Sequence, residues 1–487
     1  MLFDVCFTVL TIFCLGFAAH FSVFFAINPI IQKFEHYILH ISSRNKWLIS
    51  LFFITFSGFL IGIDIDNSFL AYRSMTGLII LTFFLTLSSI SLISQYFYSQ
   101  DYSKFIMIKM ACYYVRKDII LTTMMVMSIA LACGLFISMS TFINSFQLAV
   151  SQWITTSTQS DIYIQAKNNT IPRPIPLSRE DADNLMTHPA TKSWKSISRD
   201  NIMIKNQPVI LRSLSYKDLS KELLFVDFLA NRNSNVLDDQ DILVSESAAK
   251  KLNIRVGDTL TIPSPSEAYK GIVAGIHIDY ASEHGVITIS NHVMKSLYQD
   301  RYRIHGLSLM VDPAFRNLIL GYSDELIIQS KEELQGYVIQ MFKQTFGLTW
   351  ILASISGIIA IFVLINMLSV MIIDRRYEIN QMFAMGAQKH HLRSLIFSHA
   401  IWIGLLSLVM ALFVGTCLSF IILKQLTPSY FGWNIPLILS MKPISTLIIV
   451  MVFVIVLCTY IAYRYIWRKV TDTSHTYESI KTLYFSR

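Results

Sequence analysis

Charged residues are scarce in this sequence. They make up 15% of the 487 residues, against about 25% in an average soluble domain, while 53% are hydrophobic and the mean hydropathy is +0.49. Such a chain has too little polar surface for a wholly soluble protein, so we expect it to span a membrane. Long, nearly uncharged runs predict seven transmembrane helices, at about residues 5–31, 47–63, 74–97, 119–143, 350–373, 394–423 and 444–463.

Cysteine is also rare, and residues 144–346 contain none. All six cysteines, at positions 6, 14, 112, 133, 417 and 458, fall in the predicted helices or near the face that we predict to be cytoplasmic. Their absence from residues 144–346 argues against a disulfide scaffold there. No metal-binding spacing occurs among the six.

Common catalytic motifs are missing as well. The chain has no G-x-x-x-x-G-K-S/T for a nucleotide phosphate, no H-E-x-x-H and no G-x-S-x-G. His277, Asp279, Glu283 and His284 are close in sequence. They fall at a strand end and the following turn, where polar side chains normally face water, so we predict no metal site. The chain therefore cannot bind ATP through a P-loop, and its catalytic constellations are poor, so we expect no catalytic residues and no cofactor bound by the chain itself.

Lysine and arginine concentrate on one side of the predicted membrane, in residues 32–46, 98–118, 374–393 and the tail after 463. This side should be cytoplasmic. The N-terminus would then be periplasmic and the C-terminus cytoplasmic in a bacterial inner membrane. Residues 150–330 hold 19 Lys+Arg and 20 Asp+Glu, so the net charge of +8 comes from the remainder. That distribution indicates attraction to anionic lipid rather than nucleic-acid binding.

Residues 144–346 predict a mixed α/β domain in the periplasm. Apolar or alternating runs predict strands that begin at Asp161, Asn201, Pro208, Asp241, Asp258, Gly271 and Val286. One helix is predicted from Glu246, with Ser245 as its N-cap and Asn253 near its end. A second is predicted from Asn291 to Tyr298, capped by Ser290 or Asn291.

The two ends of this domain show helical periodicity that continues beyond the predicted membrane. Apolar residues recur three or four positions apart before the domain, at Phe142, Phe146, Ala149 and Trp153. They recur again after it at Leu334, Val338, Met341 and Thr345, with Phe342 and Phe346 alongside. Two helical stalks that pack together would carry motion between domain and membrane. Plain connectors packed on the domain core would show the same periodicity.

A short polar segment separates the fifth and sixth predicted spans. Asp374-Arg-Arg-Tyr-Glu378 ends the fifth, and Ile379, Met382 and Phe383 then form one apolar stripe on a short helix that Gly386 should stop. Such a helix suits the docking of a soluble partner. It equally suits a surface helix that lies on lipid headgroups.

Residues 349–423, with Asp374-Arg-Arg-Tyr-Glu-Ile379 and Ala384-Met-Gly-Ala387, resemble the FtsX-like permease domain of ABC transporters. Leu243 to Asp258 and Val273 to Tyr280 resemble sequence segments of the periplasmic core domain in that family. Phe431-Gly-Trp433 resembles a recurring feature of its lipoprotein-exporter branch, which is related to MacB. The resemblance implies a non-enzymatic permease subunit that receives a separate cytoplasmic ATPase. The coupling segment would comprise Asp374, Arg375, Arg376, Glu378, Ile379, Met382, Phe383, Gly386 and Ala387.

The resemblance also implies a substrate in the cell envelope, such as a lipid, lipoprotein or peptide, and a second permease subunit or half. Two features depart from the family pattern, and both concern the ATPase contact. Phe383 stands where arginine is common, and no proline precedes the basic end after Tyr463. A transmembrane signalling or scaffold protein that transports nothing is the alternative function.

The fold class that follows is an α-helical polytopic membrane protein of about seven transmembrane helices, with one inserted mixed α/β periplasmic domain on helical stalks. Its expected domains are three N-terminal helices (1–103), an elbow with helix four (104–143), the periplasmic domain (144–346), the permease domain (347–470) and a cytoplasmic tail (471–487). Three spans precede the permease-like unit, as in the C-terminal half of a split two-unit permease. A symmetric homodimer with accessory N-terminal spans is the alternative assembly.

Overall fold

The computed structural model describes most of the chain after residue 67. The described residues are 56, 68–99, 110, 113, 115, 117, 119–167, 175–214, 222–229, 237–265, 267–323, 325–374, 381, 382, 385, 386, 388–457, 459–461 and 464. The predicted spans 5–31 and 47–63 lie outside them, apart from residue 56.

Helices and strands alternate in the middle of the chain. The helices are α1 (Ser68–Ser99), α2 (Ile119–Ser157), α3 (Arg179–Thr187), α4 (Glu246–Leu252), α5 (Asn291–Tyr298), α6 (Arg316–Leu320), α7 (Lys331–Asp374), α8 (Lys389–Ile421), α9 (Thr427–Phe431) and α10 (Met441–Ile461). The strands are β1 (Ile162–Ala166), β2 (Thr191–Ile204), β3 (Gln207–Leu214), β4 (Phe225–Phe228), β5 (Asp241–Ser245), β6 (Thr259–Ile262), β7 (Tyr269–His277), β8 (Val286–Ser290), β9 (Gly306–Val311) and β10 (Leu326–Ser330).

The chain forms two compact units. The membrane unit comprises Met1–Asn144, Gly347–Ile422 and Leu437–Arg487, and the sheet unit comprises Ser145–Phe346 with Leu423–Pro436. The sheet unit thus takes residues from far downstream, an addition that the sequence does not signal.

Five described helical segments are long and apolar enough to cross a bilayer. They are Ala71–Leu92, Ile119–Ser157, Lys331–Val363, Arg393–Phe431 and Met441–Ile461, and each overlaps one of the seven predicted spans without sharing its bounds. Within the membrane unit, an added Cβ at Gly134 would lie 2.8 Å from Val414 Cγ1 and 3.2 Å from the Gly415 nitrogen. Glycines therefore let α2 and α8 approach closely, as small residues do between membrane helices.

The sheet unit is built on one mixed sheet with the strand order β10-β1-β9-β2-β3-β8-β5-β7-β4, and β6 pairs with β7. The pairs β3–β8 and β5–β7 are parallel, whereas the other pairs are antiparallel. All seven predicted strands are present, although β2 begins earlier, at Thr191. The strands β4, β9 and β10 were not predicted.

Helices cover one face of this sheet. Ile242, Val244 and Ile287 pack with α4 and α5, while Leu307 and Leu309 pack with α3 and α6. Leu307 pairs with Ser196 in the register, and the Ser196 hydroxyl accepts a hydrogen bond from Asn291 Nδ2 of α5 at 2.7 Å. Both helix pairs therefore lie on the same side of the sheet, because cross-strand partners point to one face.

The caps of α4 and α5 confirm two predictions. Ser245 accepts a hydrogen bond from the Ala248 N–H, and Ser290 accepts one from the Val293 N–H. Asn253 ends α4 in the left-handed conformation with φ 50°. Serine is preferred at an N-cap because its hydroxyl accepts from an unpaired N–H of the first helical turn. Asparagine suits the C-terminal end because it tolerates the left-handed conformation there.

Candidate functional site: the aromatic junction of the sheet unit

The loop after α8 departs from a regular helix. A π-helical turn, Ile422–Leu426, precedes α9, and the Gly432 N–H closes α9 by donating to Pro428 O at 2.9 Å. Gly432 has φ +72°, and an added Cβ there would lie 2.6 Å from Ser247 Cα. Glycine is thus required both for its backbone conformation and for the close approach to α4.

Four aromatic side chains meet beside this loop, and we call Phe146, Tyr280, Phe346 and Trp433 the aromatic junction. The centroid of the Phe146 ring lies 4.8 Å from that of Phe346, 5.8 Å from Trp433 and 6.0 Å from Tyr280. Tyr280 and Trp433 are 5.5 Å apart. None of the four is more than 7% exposed. The junction therefore joins α2, the segment after β7, α7 and the loop after α9.

Further aromatic rings extend the junction. Trp153 lies 5.9 Å from Tyr280, Phe342 lies 5.8 Å from Phe146, and Phe431 stacks on Trp433 at 5.1 Å. Aromatic pairs in this range contribute about 0.5–1.5 kcal/mol each beyond the area that they bury. The contacts together make the junction a closely packed point of the sheet unit.

A chain of polar contacts borders the junction. Lys424 Nζ donates to Asn434 Oδ1 at 2.6 Å, and the Asn434 backbone N–H donates to Glu246 Oε2 at 3.1 Å. Burial raises the pKa of Glu246, and the Asn434 N–H and the charges of Lys250 and Lys424 oppose that shift. Glu246 lies in the first turn of α4, where the helix dipole favours an acidic group. The loop is thus held on α4 by polar contacts as well as by packing.

The predicted stalk residues occupy different environments. Phe142 is 6% exposed, Phe146 belongs to the junction, Trp153 contacts it through Tyr280, and Leu334 and Val338 are half-buried. Met341 is 45% exposed, so its predicted place in the packed stripe is wrong. Phe342, one position later, points towards Phe146 instead. Phe146 contacts Phe342 and Phe346 of α7, as expected for two stalks that pack together, and it also contacts Tyr280, as expected for a connector packed on the domain. The contacts therefore contain elements of both interpretations.

Part of the predicted coupling segment lies outside the described residues, namely Arg375, Arg376, Glu378, Ile379, Phe383 and Ala387. Asp374 is the last residue of α7, and Gly386 has φ +94°. Met382 is helical and half-buried, in an apolar cluster around Leu395 with Met110 and Trp402. Met385, which the sequence pattern did not single out, is 79% exposed.

A buried ion pair occupies the segment where the sequence places four polar residues. Arg212 Nη1 lies 2.9 Å from Asp279 Oδ2, and Arg212 Nη2 lies 3.3 Å from His277 Nε2. Burial, with a smaller contribution from Arg212, lowers the pKa of His277 to about 4. The expectation that this segment faces water is wrong for His277 and Asp279, because Arg212 of β3 reaches them inside the fold. No group of three or more His, Cys, Asp or Glu among the described residues could hold a metal ion.

Comparison with known proteins gives one family match. Residues 350–470 match the model of the FtsX-like permease C-terminal family. An uncharacterized ABC transporter permease protein of Mycobacterium tuberculosis is 20% identical over 342 residues, which cover 64% of this chain and 38% of that protein. The chain therefore spans well under half the length of this relative.

Two solved structures resemble part of the chain. The periplasmic region of MacB from Actinobacillus actinomycetemcomitans covers 38% of this chain and 95% of its own, with 14% identity and a TM-score of 0.27. The extracellular domain of the noncanonical ABC-type transporter YknZ from Gram-positive bacteria covers 35% and 98%, with 12% identity and a TM-score of 0.24. Neither likeness bears on function.

Proposed function

Because residues 350–470 match the model of the FtsX-like permease C-terminal family, we propose that this chain is the permease subunit of an ABC transporter in a bacterial inner membrane. A separate cytoplasmic ATPase would bind and hydrolyse ATP. The chain would couple that hydrolysis to motion of a periplasmic domain formed by the sheet unit. A lipid, a lipoprotein or another envelope component would be the substrate.

The aromatic junction is the observation that carries this proposal. A domain that responds to membrane helices needs a firm connection to them. Phe146 belongs to α2, Phe346 to α7 and Trp433 to the loop after α9, and each of these elements continues a candidate membrane span. Truncation of a buried aromatic side chain costs about 3–5 kcal/mol. Displacement of one of these elements would therefore move the others with it.

The ATPase contact is proposed for the coupling segment, residues 374–387. Met382 would anchor the segment through Leu395, whereas Met385, at 79% exposure, would be free to contact the ATPase. Methionine is flexible and polarizable, which suits it to an adaptable protein contact. The roles of the remaining coupling residues, including Phe383, follow from the family resemblance.

A second permease unit is proposed for the exposed face of α7. Besides Trp350 and Ile365, its described exposed apolar residues are Tyr337, Met341, Leu348, Ile351, Ile355, Ile358 and Phe362. The steps between them are 4, 7, 3, 4, 3 and 4 positions, close to the 3.5-residue repeat along which helices pair. The helical segment Lys331–Val363 has 33 residues, more than the roughly 20 that a bilayer needs. Lipid would thus not cover the whole face, and a partner helix would.

Azido-ATP labelling tests the proposed division of labour. The tagged full-length chain is purified from its native membrane with its bound partners, and ATP hydrolysis is measured after reconstitution. We expect the label on a separate polypeptide and hydrolysis that depends on the complex. Label on this chain, or a complex that contains no nucleotide-binding polypeptide, would contradict the proposal and favour signalling or a scaffold.

A matched pair of substitutions tests the contact. Met385→Asp should release the ATPase or uncouple hydrolysis, because a charge replaces an apolar contact. Met203→Asp is the control, since Met203 is 56% exposed on β2 of the sheet unit. Normal copurification and stimulated hydrolysis with Met385→Asp would exclude this residue from the contact.

A further inference from the structure

A small cavity opens on the sheet face that faces away from α3–α6. It measures about 160 Å³, and a cavity needs only about 10–15 Å³ by the same measure to hold one water. Its lining comes from β1, β2, β9, β10 and the start of α7. There is therefore room for a polyatomic group.

A missing side chain shapes this cavity. Gly306 pairs with Gln165 of β1 on one side and with Ile197 of β2 on the other. Cross-strand partners share one face, so this row contains two side chains with a gap between them. An added Cβ at Gly306 would lie 3.4 Å from Ile164 O and 3.9 Å from Ile197 Cβ, which are ordinary contact distances. A larger residue would thus fill the cavity without displacing the backbone.

An unpaired cation lines the cavity. Among the described residues, no carboxylate lies within ion-pair distance of the Arg199 guanidinium, whereas the neighbouring Arg212 is paired with Asp279 at 2.9 Å. A guanidinium presents two parallel N–H groups that match the spacing of phosphate or carboxylate oxygens. Arg199 is therefore available to bind an anion.

One neutral donor joins Arg199. The Arg199 backbone N–H donates to His305 Nδ1 at 3.2 Å, so the neutral imidazole carries its proton on Nε2. Burial and the nearby Arg199 lower the pKa of His305, which keeps the ring neutral at pH 7. Tyr163 also lines the cavity, but its hydroxyl is turned towards the residues before β1, where it accepts a hydrogen bond from the Ser160 N–H at 3.0 Å.

We propose that this cavity, the Gly306 cavity, binds a phosphate group carried by an amphiphilic molecule. Three N–H groups, two of the Arg199 guanidinium and one at His305 Nε2, suit the several oxygens of a phosphate better than the two of a carboxylate. Ile197 and Leu334, which line the same cavity, supply an apolar wall for the carbons next to the phosphate. Binding here requires neither ATP nor a partner subunit, so it is independent of the proposed transport.

Calorimetric titration of the full-length protein in a phosphate-free maltoside detergent tests the proposal. The probes are dioctanoyl phosphatidic acid and inorganic phosphate. We expect saturable binding of both, with phosphatidic acid at least about tenfold tighter because of its apolar carbons. Equal affinities for the two probes would overturn the proposal that the ligand is amphiphilic and would assign the cavity to free phosphate. Absence of saturable binding of either probe would overturn the site.

Substitutions locate the binding. Arg199→Gln should weaken phosphatidic acid at least about tenfold, equivalent to about 1.4 kcal/mol, and Gly306→Val should abolish binding by filling the cavity. Arg255→Gln removes a positive charge from an exposed residue outside the cavity lining and should leave the affinity unchanged. Hydrogen exchange of β1 and β9 verifies that each variant keeps its fold. Folded Arg199→Gln and Gly306→Val proteins that bind like the wild type would overturn the proposal.

Discussion

Three glycine-to-alanine substitutions separate the two constraints that act on Gly432. Gly432 combines φ +72° with a backbone neighbour, Ser247 Cα, at 2.6 Å from an added Cβ. Gly257 has φ +93° but nothing within 4 Å, and Gly336 lies in α7 with neither constraint. Each substitution adds one methyl group, and the three positions differ in backbone conformation and in neighbours. The series therefore isolates the free-energy cost of the close contact between the Gly432 loop and α4.

The expected costs follow from these environments. Alanine with positive φ costs about 1–2 kcal/mol, which should be the whole effect at Gly257. At Gly336, alanine should stabilise the helix by about 1 kcal/mol. At Gly432 the backbone of α4 cannot rotate away, so the loop must lift. The loss of stability should exceed that at Gly257. It should be at most about 3–5 kcal/mol, the amount lost when a buried aromatic side chain such as that of Trp433 loses its packing.

Hydrogen exchange of the full-length protein in detergent, read by mass spectrometry, measures these costs locally. In Gly432→Ala, peptides that cover 423–436 should exchange faster, by about thirtyfold for a loss of 2 kcal/mol. The same peptides should be unchanged in Gly257→Ala and Gly336→Ala. Wild-type protection of 423–436 in Gly432→Ala would refute the reasoning, since it would mean that the close approach to Ser247 does not hold the loop.

Three further predictions concern pH, topology and assembly. His277 has a folded pKa of about 4 against an ordinary value of 6.5, so its contribution to stability is complete above pH 6.5 and is lost as the pH falls towards 4, by about 3 kcal/mol in total. His277→Gln should abolish that part of the acid dependence in exchange measurements of β7, and an unchanged pH profile would contradict the assignment. With the native cysteines replaced, Met203→Cys should react with an impermeant maleimide on intact cells while Met385→Cys should not; the reverse pattern would invert the proposed orientation. Tyr337→Cys, at a position 60% exposed, should crosslink in native membranes to a second permease unit. Phe346→Cys, at a position 1% exposed, should not. Equal crosslinking yields from both positions would argue against the α7 face as the contact with a second unit.

Local chemistry explains which parts of the fold the sequence predicts. Val286–Ser290 and Asp241–Ser245 are apolar runs bounded by polar or turn residues, and both are strands with the predicted bounds. Ser245 and Ser290 predict the starts of α4 and α5 because capping depends on neighbours only three residues away. By contrast, β10 has half-buried residues at four of its five positions and gives no clean alternation. The first half of β2 carries serine and lysine that tertiary contacts accommodate.

The site was harder to predict because its contacts are remote in sequence. Phe431-Gly-Trp433 stood out as a family resemblance, but no pattern links Trp433 to Phe146, 287 positions earlier. Helical periodicity singled out Phe142, Phe146 and Trp153, of which Phe146 and Trp153 lie against Tyr280. It also placed Met341 in the stripe, where Phe342 contacts Phe146 instead. A shift of one position turns a helix residue by about 100°, and apolar residues at both positions leave the sequence ambiguous. The polar cluster at His277 and Asp279 was misread because Arg212, its partner, lies on another strand.

The contribution of Trp433 to the aromatic junction has a consequence for the order in which the protein can mature. The ribosome adds Trp433 87 residues after Phe346, which takes roughly 4–18 s at 5–20 residues per second. During that interval the chain also produces the candidate span Arg393–Phe431, while Phe146, Tyr280 and Phe346 lack their last aromatic neighbour. The sheet unit would therefore reach its final packing only after this span has been synthesised, and a fragment that stops at residue 346 would expose an apolar surface to chaperones and proteases.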